Sequence, residues 1–133
     1  MTRTGDPPRA PSGGAPPRFA ELPGGDRLEL AGPAREIARR HRAEFPDEEK
    51  RYGDRGLEWC AYDNQWILSW AAADAAGFDD LHRRTEWLAG ILEARGYPVE
   101  RLARDLEIAA DVVAPLRPVL EAGADAVRTI AGA

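Results

Sequence analysis

An aspartate set among tryptophans is the first candidate for chemistry in this sequence. From Tyr52 to Asp74 the chain reads YGDRGLEWCAYDNQWILSWAAAD. At 100° per residue, Tyr52, Gly56, Trp59, Asp63, Trp66, Ile67, Trp70 and Asp74 share one arc of about 100°, the width of a helix face turned to a core. Asp63 lies in the middle of that arc, where an unpaired carboxylate is costly or takes up a proton. It must therefore be paired, hydrogen-bonded or placed at the lip of a cavity, with an indole N–H, Arg84 or a ligand as its partner. As a site, Asp63 with Trp59, Trp66, Trp70 and Asn64 makes a polar anchor in an aromatic-walled pocket suited to a flat conjugated ligand. The same residues serve equally as packing, with Asp63 fixing how helices fit together. Asp74, nearer the helix end, is more easily solvated.

Other chemistries find less support. His41, His82 and Cys60 fall on different segments and match no zinc pattern, so no metal ligand set is expected. Asp79-x-x-His82 is a single echo of the di-iron bundle signature, and His82 four residues before Glu86 reads as an exposed ion pair. No cofactor is expected, with a tetrapyrrole held by His41 or His82 as the alternative. There is no glycine-rich phosphate loop and no nucleophile motif, so nothing points to catalysis. Cys60, the single cysteine, reads as a buried, inert thiol.

The elements that must position these residues read as helices. Residues 1–33 hold seven of the eleven prolines, so they are expected to form a disordered arm, with residues 34–133 as the helical domain. Phe19, Leu22, Leu28 and Leu30 are the large apolar residues in that arm, and Arg27–Leu30 docking in a groove is the alternative. Pro33 opens a helix to Glu44 with Ile37, Ala38, His41 and Phe45 on one side. Asp47 then caps a long helix, kinked or frayed near Gly53 and Gly56, firm from Leu57 to Ala76 and stopped by Gly77. A third runs from Asp79 or Asp80 to Arg95 and is closed by Gly96. The fourth carries Val99, Leu102, Leu106, Ala109, Val113 and Leu116 at spacings of three and four, and Pro115 and Pro118 interrupt it. The last, with Val119, Leu120, Ala124, Val127 and Ile130, is expected to pack weakly because of Gly123 and Gly132. No segment alternates with period two. The expected fold is all-α, a small antiparallel bundle of four to five helices.

The net charge of −5 resides entirely in residues 34–133, which argues against nucleic acid as a partner. No apolar run suggests a membrane span or a secretory signal, so a cytoplasmic protein is expected. All but one of the 18 basic residues are arginines, which suggests a GC-rich bacterial genome.

From Asp63 to Val113 the order of signals resembles the helical module that precedes the cobalamin-binding domain of bacterial sensor and corrinoid proteins. The similarity lies in an apolar helix, a Phe-led turn at Phe78, a helix with Trp87-Leu88 ending Ala94-Arg95-Gly96, Pro98, and a helix opening with Leu102 and Leu106. The cobalamin-ligating Asp-x-His-x-x-Gly motif is absent, and Asp80-Leu81 stand where light-responsive members carry Glu-His. The resemblance implies a bacterial helical sensory or regulatory module working with partners. The reading is thus a non-catalytic module that binds a small ligand or a regulatory protein through its tryptophan-rich helix. A homodimer joined by that face, and a haem- or corrinoid-binding protein, are the alternatives.

Overall fold

A computed structural model describes residues 15–132. It contains five α-helices: α1 (Ala31–Glu44), α2 (Asp47–Ala75), α3 (Leu81–Ala94), α4 (Val99–Val112) and α5 (Arg117–Ala131). The expected helical bundle is what the chain forms. Helix α1 packs on both α2 and α4, and α5 packs on α3 and α4, so one apolar core passes through all of them. Ile37, Ile67, Leu68, Leu106, Leu120 and Val127 lie at its centre. No helix among the described residues is long and apolar enough to cross a membrane.

Two expectations about the N-terminal region need correction. Of the arm assigned to residues 1–33, residues 1–14 lie outside the described residues, and the remainder is built into the domain. A short antiparallel hairpin, β1 (Phe19–Glu21) and β2 (Arg27–Glu29), pairs Ala20 with Leu28 and packs on α2. Its turn is a Pro-Gly turn: Gly25 N–H donates to the Leu22 carbonyl at 2.9 Å and Gly24 has φ 98°, a conformation glycine reaches without strain. Ala20, Leu22 and Leu28 pack against the core and Leu30 is fully buried. Strands of three residues are too short to announce themselves by alternation. Helix α1 accordingly starts at Ala31, because the Glu29 carboxylate accepts the Ala31 and Gly32 N–H groups at 2.9 Å each.

The helix stops follow their residues. Gly77 and Gly96 have φ 85° and 77°, and the N–H of the next residue reaches back to Ala73 and Leu92 respectively, the Schellman geometry. Asp80 accepts from the His82 N–H at 3.1 Å, and Asp74 Oδ2 accepts from the Leu81 N–H at 2.7 Å. Asp74 is therefore engaged in starting α3. Helix α4 stops at Val112, and Ala114–Leu116 form a 3-10 turn that holds Pro115. Helix α5 does not pack weakly: a Cβ at Gly123 would stand 3.2 Å from Leu81 Cδ2, so the glycine is what lets α5 come close.

The feature that shapes the interior is a kink in α2. Gly53 has φ 61° and ψ −158°, outside the helical region, and its carbonyl accepts a hydrogen bond from Arg42 Nη2 at 3.0 Å. The first turns of α2 swing back over the α1–α4 seam, carrying Glu48 into a buried position. Gly53→Ala should destabilise the protein by about 1–3 kcal/mol in urea unfolding, because that conformation is essentially glycine's own. Gly90→Ala, at an exposed helical site with nothing within 4 Å, should stabilise by about 0.5–1 kcal/mol.

Candidate functional site

Helices α1 to α4 leave a cavity of about 210 Å³ among them. Its apolar wall comes from Ile67 of α2, Leu88 and Leu92 of α3 and Leu102 of α4. Tyr52 and Arg95, both exposed, stand at its mouth. Trp59, Asp63 and Asn64 all line it, on successive turns of α2. Trp66 and Trp70 are not among the lining side chains. Trp70 is buried two turns beyond Asp63 along α2, 6.0 Å from Trp66 and edge-on to Trp87 at 6.4 Å. Arg84, considered as a partner for Asp63, instead pairs with Asp79 at 3.1 Å and lies over the Trp70 ring.

Asp63 is half-buried, with its carboxyl at the cavity wall. Burial, reinforced by the charge of Asp105, pushes its pKa up to about 7, while Arg95 pulls the other way. Asp105 lies across the cavity on α4, 5% exposed. Its pKa is raised to about 6 by burial, with His41 and the Asn64 amide opposing.

A second group of side chains forms the floor. Asn64 Nδ2 donates to Asp105 Oδ1 at 2.9 Å and to the Cys60 carbonyl at 2.9 Å, and Cys60 Sγ lies 3.9 Å from the same Asp105 oxygen. Burial raises the Cys60 thiol well above its usual range, with Asp105 adding to the effect. His41 is 2% exposed, its Nε2 is 3.1 Å from the Arg101 carbonyl oxygen and its Nδ1 is 3.6 Å from Glu48 Oε1. Glu48 in turn accepts from the Tyr97 hydroxyl at 2.9 Å and from Arg101 Nη1 at 2.8 Å. Burial and the Glu48 charge hold the Tyr97 hydroxyl protonated, far above the usual phenol range. Arg101 also reaches Asp47 at 2.9 Å and covers the Phe45 ring at 4.4 Å.

Not all the polar groups here are satisfied. Trp59 Nε1, Asn64 Oδ1 and Asp105 Oδ2 are buried without a hydrogen-bond partner among the described residues, and all three residues line the cavity. Trp66 Nε1 is in the same condition away from it, and nothing in the structure accounts for that.

The sequence reading missed His41, Cys60 and Asp105 as a group. One signal was available: on a helical wheel Asp105 falls between Val112 and Ala109, inside the apolar stripe of α4, just as Asp63 does in α2. His82, by contrast, is exposed and 3.6 Å from Glu86, the surface pair its spacing implies.

No protein-family model matches the chain, and neither a curated protein nor a solved structure matches it.

The raised pKa of Asp63 has a thermodynamic consequence. Between the unfolded value of 3.8 and the folded value of about 7 the native protein holds the extra proton, so this group's contribution to stability falls as pH rises through that window. Asp63→Asn removes the effect. The variant and the parent should be similarly stable at pH 4. By pH 8 the variant should be more stable by roughly 1–3 kcal/mol, read from urea unfolding at each pH.

Proposed function

We propose that this chain is a non-catalytic, cytoplasmic regulatory module of bacterial type that binds a small molecule in the cavity between α2, α3 and α4. One observation carries the reading: Trp59 Nε1, Asn64 Oδ1 and Asp105 Oδ2 are buried around that space without hydrogen-bond partners among the described residues. Each such atom costs about 1–3 kcal/mol when left unsatisfied, and a ligand that meets them recovers that cost. The volume of about 210 Å³ sets the ligand's size. It exceeds the ~150 Å³ that accepts benzene and falls short of the ~300–1,000 Å³ of drug-sized sites, so one ring with a short polar arm fits. A tetrapyrrole is too large for it.

The chemistry of the walls narrows the class. Two carboxylates whose pKa values are raised chiefly by burial, with Asp105 adding to the shift of Asp63, favour a ligand bearing hydrogen-bond donors or a positive charge, and Asp63, nearest Arg95 and the mouth, is its anchor. Ile67, Leu88, Leu92 and Leu102 take the apolar body, and Trp59 supplies a ring face and one donor. A small ring amine that also carries a hydroxyl or ether oxygen satisfies these demands: the ammonium donates to the carboxylates and the oxygen accepts from Trp59 Nε1. A bacterial helical sensory or regulatory module working with partners is what the resemblance over Asp63–Val113 implies.

A second reading has its own observation. Phe78 is 86% exposed and Trp87, against Trp70, is 38% exposed, so the aromatic surface open to a regulatory protein or a second copy lies on the α2–α3 turn and α3. On that reading Trp87→Ser, and not Asp63→Asn, would break the interaction.

The ligand reading is tested by titrating benzylamine, benzyl alcohol and toluene into isotopically labelled protein with a metal chelator present. Benzylamine should shift the Trp59 indole and Asn64 amide signals and bind more tightly than benzyl alcohol. Asp63→Asn should weaken benzylamine by about tenfold or more, which corresponds to ~1.4 kcal/mol. Shifts at neither residue with any probe, or equal benzylamine affinity in the variant, would remove the reading.

A further inference from the structure

We propose that His41, Cys60 and Asp105 form a three-ligand site for a zinc-class divalent metal ion at the floor of the cavity, with the fourth coordination position open to it. The three residues come from α1, α2 and α4, and each offers one ligand atom within 4.8 Å of the others. Zinc–ligand bonds of about 2.0–2.3 Å in a tetrahedron place one sulfur and two N/O ligand atoms roughly 3.3–3.5 Å apart, so the widest separation needs to close by up to about 1.5 Å. Cys60 Sγ and Asp105 Oδ1 already stand at 3.9 Å.

The surroundings are those of a ligand set. One oxygen of Asp105 is anchored by the Asn64 amide while the other, Oδ2, is buried and has no partner among the described residues. The His41 ring is held on both sides, Nε2 by the Arg101 carbonyl at 3.1 Å and Nδ1 facing the Glu48 carboxylate at 3.6 Å. The nitrogen that binds the metal gives up its present acceptor, and the other keeps a carbonyl or a carboxylate, the groups that orient metal-bound imidazoles. A nitrogen, a sulfur and an oxygen donor together suit zinc and its neighbours rather than magnesium or calcium, which take oxygen alone. On binding, Cys60 coordinates as the thiolate and its proton passes to solvent. Three protein ligands with an open position are the pattern of sites that receive water or a small ligand, not of closed structural sites. The metal site shares Asn64 and Asp105 with the amine reading but not Asp63, so Asp63→Asn tells the two apart.

Cobalt(II) titrated into the full chain tests it. Cys60 is the single cysteine, so a thiolate-to-cobalt charge-transfer band in the near ultraviolet reports that ligand directly, whatever becomes of any variant. The expected result is this band with intense tetrahedral visible absorption at a 1:1 ratio, discharged by one equivalent of zinc. Cys60→Ser should abolish the band, Asp105→Asn and His41→Gln should weaken zinc by more than tenfold, and Asn64→Ala should weaken it by about 10–100-fold. His82→Ala and Asp63→Asn should leave the spectrum unchanged, which separates this site from the surface histidine and from the amine anchor. Wild-type protein that shows no thiolate band with cobalt, or zinc affinity that is the same in wild type and in folded Asp105→Asn and His41→Gln, would overturn the proposal.

Discussion

Asn64 on α2 donates to Asp105 on α4 across 2.9 Å, in a place where Asp105 is 5% exposed. That contact decides much about the interior. A carboxylate is kept away from water by being built into the apolar stripe of a strongly amphipathic helix, and α2 must meet it with an amide instead of a methyl group. Apolar residues of the same volume would make a more stable seam, because a buried charge that is only partly compensated costs more than it returns. The bundle instead keeps a carboxylate, a thiol, an imidazole and an amide at one junction, and leaves three polar atoms beside them unmatched.

Getting those groups to one place requires more than helix packing. The kink at Gly53 redirects the start of α2, and Arg42 holds the bend by donating to the carbonyl that the kink releases. Glu48 then stands beside His41, and Arg101 and Tyr97 close over it. The outer ion pairs do something different. Arg104 with Glu44 at 2.7 Å, and the contact between Arg128 and Glu107, join α4 to α1 and α5 in largely exposed positions. Pairs so placed contribute little to stability.

The local grammar of this fold was legible in the sequence. Gly77, Gly96 and Asp80 mark helix ends because each has a conformational or hydrogen-bonding property that the end requires, and Gly53 marked the bend for the same reason. Asp63 and Trp59 were found because a single helix face displays them together, and Asn64 because it is the polar neighbour of Asp63 in the chain. The floor was not found, since His41, Cys60 and Asp105 converge only through the crossing of three helices, and sequence spacing carries no record of that crossing. Trp66 and Trp70 share the face of Trp59 on a wheel, yet the cavity touches only part of the length of α2. The hairpin was missed because its stability comes from contact with α2 and not from its own pattern.

The buried Leu30 and the Glu29 carboxylate at the head of α1 move the true edge of the folding unit upstream of the helices. A fragment trimmed to begin at Pro33 would bare an apolar patch on the core and leave the first α1 amides uncapped. Such a fragment would be stickier and quicker to open than the parent chain. The exposed Gly24-Gly25 tip, by contrast, touches nothing but its own turn, so a nick there falls outside the apolar contacts that Leu28 and Leu30 make with the core.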